Sequence, residues 1–598
     1  MKYNQTWDLD SIFPGGTKSE ALQAKIAEVK QQVDTYHTLL MNWQEATPTS
    51  EQFIQILQAQ ETFTNGLSQA STFVNMCHDA YMDDEHANVV KGQLMELASS
   101  VQILFNTFTK KIVAIPEEAW QPLIQTDGLK EVMFALEEIR TDGKRLLSDE
   151  EETLIAELSK DGLSAWSSTY DTVVSIMTIP YTDKDGETIE LSIGQAMNRM
   201  YGDPDPDIRK QLFENWEIAW KKHAPIFADL LNHLNGYRLT LQRKHEYTNH
   251  LEEPLELNRM KKETLDAMWS AVSKKKKTFL QFLETKARLL GLEKLGWQDV
   301  DAPLSFAKEE SKSMSYEEAC DFIINNFATF GPKLASFAKK ALENRWVEAE
   351  NRPNKRPGGY CTSLPEWKES RIFMTFTETT SDTSTLAHEL GHAFHSDVMK
   401  DLPTLNQHYA MNVAETASTF AETIIGNATV NHATTAEEKL SLLNAKLENA
   451  TAMFMNIHAR FLFEDAFYKE RANGIVSTSR LNELMLAAQK EAYGDSLASY
   501  HPHFWCSKLH FFIDDVPFYN FPYTFGYLFS LGIYANYLDH AEGFEDKYIA
   551  LLKDTGSMSV EDLAEKHLGV DITEEAFWLH GIELVERDVQ AFLELANQ

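Results

Sequence analysis

Apolar residues return at helical spacing from Lys18 to about Leu163. Ala21, Ile26, Val29, Val33 and Leu39–Leu40 recur with charged residues between them, the signature of an amphipathic helix. Glu51–Met82 and His86–Lys111 carry the same period, so this part of the chain reads as helix hairpins without a cluster of catalytic side chains. Around Ser175–Leu191 the pattern changes. SIMTIPY and ETIEL flank Thr182–Gly186, which ends in Asp-Gly, a β-hairpin signal. The Pro-rich run from Asp203 to Asp207 marks a turn. The helical period then resumes from Ile208 to about Gly291. A polar stretch, Lys308–Met314, separates the next helix. A Pro/Gly-rich loop, Asn351–Tyr360, precedes a short β-like run, Arg371–Phe376, and from Asp382 onward helix follows helix. The pattern predicts an all-α class, mainly helical, with one small β-sheet. It contains no internal repeat and no low-complexity segment.

Composition sharpens this picture. Gly and Pro make up about 7% of the 598 residues, against roughly 12% in average usage, which favours long helices over many short strands. The net charge of −35 argues against a nucleic-acid binder that neutralises phosphates and against polybasic attachment to membranes. Hydrophobic residues at 43% are enough to build a core. No signal-peptide apolar run and no membrane-length apolar stretch are found. The four cysteines are scattered, with no CxxC pair. They read as reduced thiols of a cytoplasmic protein. Lys274–Lys277 reads as a solvated helix face.

The chemistry concentrates in SDTSTLAHELGHAFH, where His388, Glu389 and His392 form HExxH. Residues four apart share a helix face, so both imidazoles can meet one zinc ion. Glu389, about 100° around the same turn, is placed to take a proton from the attacking water rather than to ligate. Asp382 or Thr383 is the expected N-cap of this helix, and Ala387 and Gly391 leave room for close packing. The Arg371–Phe376 run before it reads as a sheet-edge strand for an extended peptide. A third protein ligand is required. The longer pattern HExxHxxGxxH fails, since its Gly position is His395 and its last His position is Val398. His395 can reach from the same helix. Glu415, in AETASTFAETIIG, can reach from a second helix expected to end near Gly426. A ligand from a second helix closes a tetrahedral site more naturally. Glu415 is therefore the preferred ligand, with Glu422 accepting an imidazole N–H; His395 is the runner-up ligand and otherwise supports the ligands from behind, as Glu422 does, or faces the substrate. The aromatic stretch His501–Tyr534 supplies candidate donors to a developing oxyanion, namely His503, His510, Tyr519, Tyr523 and Tyr527.

These residues match a known family. WDLDSIFP, KARLLGLEKLGWQDVDAPL, KRPGGYC, HELGHAFH with ETASTFAE, and PFYNFPYTFG together resemble the oligoendopeptidase F branch of the thimet oligopeptidase family of zinc metallopeptidases, over nearly the whole chain. The resemblance implies a two-lobed helical clamshell with a deep internal channel. It implies one Zn2+ per chain on His388, His392 and Glu415, with Glu389 as general base. His510 with one or two of Tyr519, Tyr523 and Tyr527 would bind substrate and hold the oxyanion, and His503 is a further substrate-binding candidate. The spacing in this last region departs from that of the thimet oligopeptidases themselves. The expected substrates are short peptides, cleaved internally, with no nucleic-acid or membrane partner; the sequence fixes no oligomeric state. A C-terminal exopeptidase of the same zinc class is the alternative activity, and a non-catalytic helical peptide-binding protein is the rival from another class. On this reading residues 1–190 form an N-terminal helical region and residues 191–598 the catalytic region.

Overall fold

The computed structural model describes residues 2–304 and 314–597. The polar stretch expected at Lys308–Met314 therefore falls, apart from Met314, outside the described residues. Helix accounts for 71% of the described residues and strand for 4%, the all-α class that the periodicity and the Gly/Pro deficit predict.

The first helices, Glu20–Asn42, Ser50–Ala80 and Glu85–Ala114, pack as hairpins. Ser19, Thr49 and Asp84 cap them by accepting backbone N–H groups. Ile26, Val29, Val33, Tyr36 and Leu40 are buried along one stripe of the first helix. A second core runs through the rest of the chain and includes Tyr170, Trp220, Trp346, Phe420 and Phe592. The segment read as continuous helix from Ile208 to Gly291 is three helices, Pro206–Lys244, Glu252–Leu257 and Lys262–Leu289. The first break lies where Glu246 adopts φ 61° and the Asn249 side chain accepts the Leu251 N–H.

Among the described residues, five strands form two sheets. β1 (Thr178–Thr182) and β2 (Thr188–Ser192) make the predicted antiparallel hairpin. β3 (Val347–Glu348), β4 (Tyr360–Leu364) and β5 (Glu369–Phe373) form a second sheet in the order β3-β5-β4. The expectation of an edge strand at Arg371–Phe376 is corrected here. β5 is the central strand, paired on both sides, and β4 is an edge. The uninterrupted burial of Ser370–Phe373 suits a strand covered on both faces. The chain's start is fastened to this sheet. The Trp7 indole donates to Trp346 O at 3.0 Å, its ring meets Phe373, and Ala349 N–H donates to Gln5 O.

Candidate active site

The helix Thr380–Met399 carries HExxH and packs on β4 and β5. It starts earlier than expected. Thr379, not Asp382 or Thr383, is the N-cap, and Asp382 completes a capping box by accepting the Thr379 N–H at 3.0 Å. The helix Thr416–His432 lies against it, with Glu415 as its N-cap residue, and runs past Gly426 to His432. Gly391 permits the approach. A Cβ there would stand 2.5 Å from Ala417 O and 2.7 Å from Ser418 Cα. A third helix, Phe521–Asp539, closes on the same point, and a Cβ at Gly526 would lie 3.3 Å from Glu415 Cβ.

Three donor atoms converge. The Nε2 atoms of His388 and His392 are 3.1 Å apart, and each is 3.3 Å from Glu415 Oε2. Donors about 2.0–2.1 Å from a tetrahedral ion stand about 3.3–3.4 Å from one another. Two imidazoles and a carboxylate at these separations fit one metal ion. Ser418 Oγ donates to Glu415 Oε2 at 2.7 Å. Glu422 Oε2 lies 3.5 Å from His388 Nδ1, and its other oxygen accepts from Ser384 Oγ at 3.4 Å.

The electrostatics follow from this crowding. Burial alone would raise Glu415, but the hydrogen bond and charge of His392, with His388 and Ser418, hold it down to about 2. Burial alone would lower His388, but Glu422, Glu415 and Glu389 raise it to about 9. Burial pushes the Glu389 carboxyl above its ordinary value, against the pull of His392 and His388. Glu389 is only 6% exposed, and its Oε2 is buried without a hydrogen-bond partner.

His510, Tyr519 and Tyr523 form one cluster, with His510 5.6 Å from the Tyr519 ring and 6.1 Å from the Tyr523 ring. Tyr523 lies one turn before Gly526, on the helix face that meets Glu415. Burial, with Tyr519 and Glu415 adding to it, raises the Tyr523 hydroxyl. Burial, Arg460 and Lys508 bring His510 down to about 4. Tyr519 follows Phe518, held at φ 53°. That strained turn is fastened by Glu464, which accepts the Phe518 N–H, and by Arg238, which donates to Ile513 O and Asp514 O.

Three expected residues are committed elsewhere. His395 is fully buried, stacked 4.4 Å from the Tyr409 ring, and its Nε2 meets Thr555 Oγ1 at 2.9 Å. It stands outside the converging His388, His392 and Glu415. Burial lowers it to about 3, so it is a neutral packing residue and not the runner-up ligand. His503 is buried, with Nδ1 2.6 Å from Glu217 Oε2, so it is not a substrate-facing residue. Tyr527 packs against Phe454 at 5.7 Å and stays out of the three-ring cluster. Two contributors escaped the sequence reading. Ser384 lies one turn before His388 on the same face, a spacing that was available. Gly526 carries no local signal, because only the docked helix reveals its role.

The family model described as peptidase family M3 matches residues 199–584, and one described as oligopeptidase F matches residues 111–178. The chain is 25% identical over 587 residues to oligopeptidase PepF of Bacillus subtilis, covering 96% of this chain and 84% of that protein. A crystal structure from Chlamydophila abortus aligns with TM-score 0.88 at 20% identity, over 99% of this chain and 98% of that one. Oligoendopeptidase-F from Enterococcus faecium aligns with TM-score 0.69 at 17% identity, over 97% and 99% of the two chains. These two likenesses carry the fold.

Proposed function

Since the chain belongs to peptidase family M3 and is a metallopeptidase, we propose that it hydrolyses internal bonds of short oligopeptides, using one zinc ion held by His388, His392 and Glu415. The observation that carries this reading is the set of three separations, 3.1, 3.3 and 3.3 Å, among those donors. Zinc bound there would lower the pKa of water toward ~7 and polarise a peptide carbonyl.

The chain's own residues supply the rest. Glu389, with a partnerless buried oxygen, takes the proton from the attacking water as the C–O bond forms. It gives that proton to the amine as the C–N bond breaks. Its raised pKa suits a group that must both accept and release a proton. Glu422 orients His388 by accepting from its far ring nitrogen. Tyr523, with its hydroxyl kept protonated, and His510, neutral near pH 7, donate to the oxygen on which charge develops. Tyr519 flanks them. β4 begins beside Gly359, where a Cβ would lie 3.6 Å from Glu389 Oε1. An extended peptide pairing along β4 would bring its backbone to this carboxylate.

Digestion of a mixed peptide library, read by mass spectrometry with and without chelator, tests the proposal. The expected result is internal cleavage of short peptides that stops on chelation and returns with zinc. Cleavage that survives chelation rejects the metal, and products trimmed only from one terminus reject the endopeptidase reading.

A further inference from the structure

Two cations stand without a counter-ion beside the His/Tyr cluster, in a chain whose net charge is −35. Lys508 lies two residues before His510, and its ammonium is 5.1 Å from the centre of the Phe504 ring. Arg460, on the helix Ile457–Arg471, is 5.4 Å from the same ring. Arg460 uses its N–H groups on neutral amides, Nε on Asn456 Oδ1 at 2.8 Å and Nη1 on Asn520 Oδ1 at 3.0 Å. Among the described residues neither cation makes an ion pair with a carboxylate. Neighbouring buried cations are neutralised, Arg209 by Asp299 at 2.9 Å and Lys286 by Glu448. Asp301 acts on both cations from a distance.

Both residues are half-buried. Burial and the adjacent guanidinium push Lys508 down to about 7, with Asp301 pulling the other way. Arg460 acts on Lys508 as a like charge; like charges away from bulk water repel one another, and an incoming anion relieves that repulsion. Both cations adjoin the candidate reaction centre, Lys508 two residues before His510 and Arg460 through its hydrogen bond to Asn520, the residue after Tyr519. The charges of Arg460 and Glu415 both act on Tyr523, and those of Arg460 and Lys508 both act on His510. The His510, Tyr519 and Tyr523 cluster is thus within reach of the charges of both Glu415 and the two cations.

We propose that Lys508 and Arg460 form a carboxylate-binding subsite for the peptide, receiving its free C-terminal carboxylate or an acidic side chain. This rests on the oligopeptidase reading above. A charge-assisted hydrogen bond from an ammonium or guanidinium is the interaction expected there. The subsite would favour cleavage at a fixed distance from the carboxylate it holds.

The test uses short synthetic peptides in three forms: free C-terminus, C-terminal amide, and amide with one Asp or Glu placed at successive positions. Relative kcat/KM is read by mass spectrometry for the unmodified protein, Lys508→Met and Lys508→Arg. Affinity for the same peptides is read on Glu389→Gln, so that binding is measured without turnover. The unmodified protein is expected to prefer the carboxylate-bearing peptide about ten- to a hundredfold. Lys508→Met should bring that ratio close to one, and Lys508→Arg should restore most of it. Preference for the free C-terminus identifies the terminal carboxylate, and preference for one Asp or Glu position in the amides identifies a side chain. Equal affinity and turnover of acid and amide forms overturns the subsite. So does a Lys508→Met protein that weakens all peptides but keeps the ratio, because that marks a structural lysine. Carboxylate-dependent binding without any hydrolysis upholds the subsite and rejects the hydrolase reading instead.

Discussion

His388, His392 and His395 stand at i, i+4 and i+7 on one helix, so spacing alone permits all three to serve one ion. What separates them is tertiary. His395 meets Thr555 and Tyr409, and no periodicity in the sequence announces those contacts. His395→Ala should therefore cost about 1–3 kcal/mol of stability while leaving one metal per chain, checked by chemical denaturation and metal analysis. Glu422→Ala should behave in the opposite way. The fold should stand, and metal affinity should fall about ten- to a hundredfold, read by competition with a chelator. The meeting of His388, His392 and Glu415 was legible, the two histidines from their spacing on one helix and Glu415 as a carboxylate expected on a second helix. His503 was not, because the Glu217 that commits it lies on a helix remote in sequence.

Elements meet where small residues let them. Gly391→Ala places a Cβ against the backbone of Ala417 and Ser418, and backbone cannot swing aside as a side-chain tip does. The two ligand-bearing helices must then part, so both thermal stability and metal affinity should drop. Gly426 lies within the Glu415 helix with nothing within 4 Å of its would-be Cβ. Gly426→Ala should hold or gain about 0.5–1 kcal/mol through helix propensity. Thermal unfolding and zinc titration of the pair separate close packing from simple helix propensity. Element types were largely readable from periodicity, down to the β1–β2 hairpin. Sheet order was not, since the pairing of β5 on both sides depends on the two-residue β3, too short to leave a pattern. Helix ends were also blurred. Thr379 precedes Leu386, the first apolar residue of the helix, by about two turns, which hid the cap.

At the scale of the whole molecule, the scarcity of Gly and Pro accords with described residues that are 71% helical. The net charge of −35 bears on encounter with substrate. An acidic molecule attracts cationic peptides over a range set by the Debye length, about 8 Å at physiological salt. At low salt, kcat/KM for a Lys/Arg-rich peptide should exceed that of a neutral analogue, and the two should converge as salt is added. Initial rates across an ionic-strength series provide the check, and equal values at low salt would limit the charge to solubility. The central claim is that Glu389 moves the proton while two histidines and Glu415 hold the metal. Glu389→Gln keeps the shape and removes the base. Measured side by side, its zinc content should stay at one per chain while peptide turnover falls by about 10²-fold or more. Near-normal turnover in that variant, or loss of its zinc, would contradict the account.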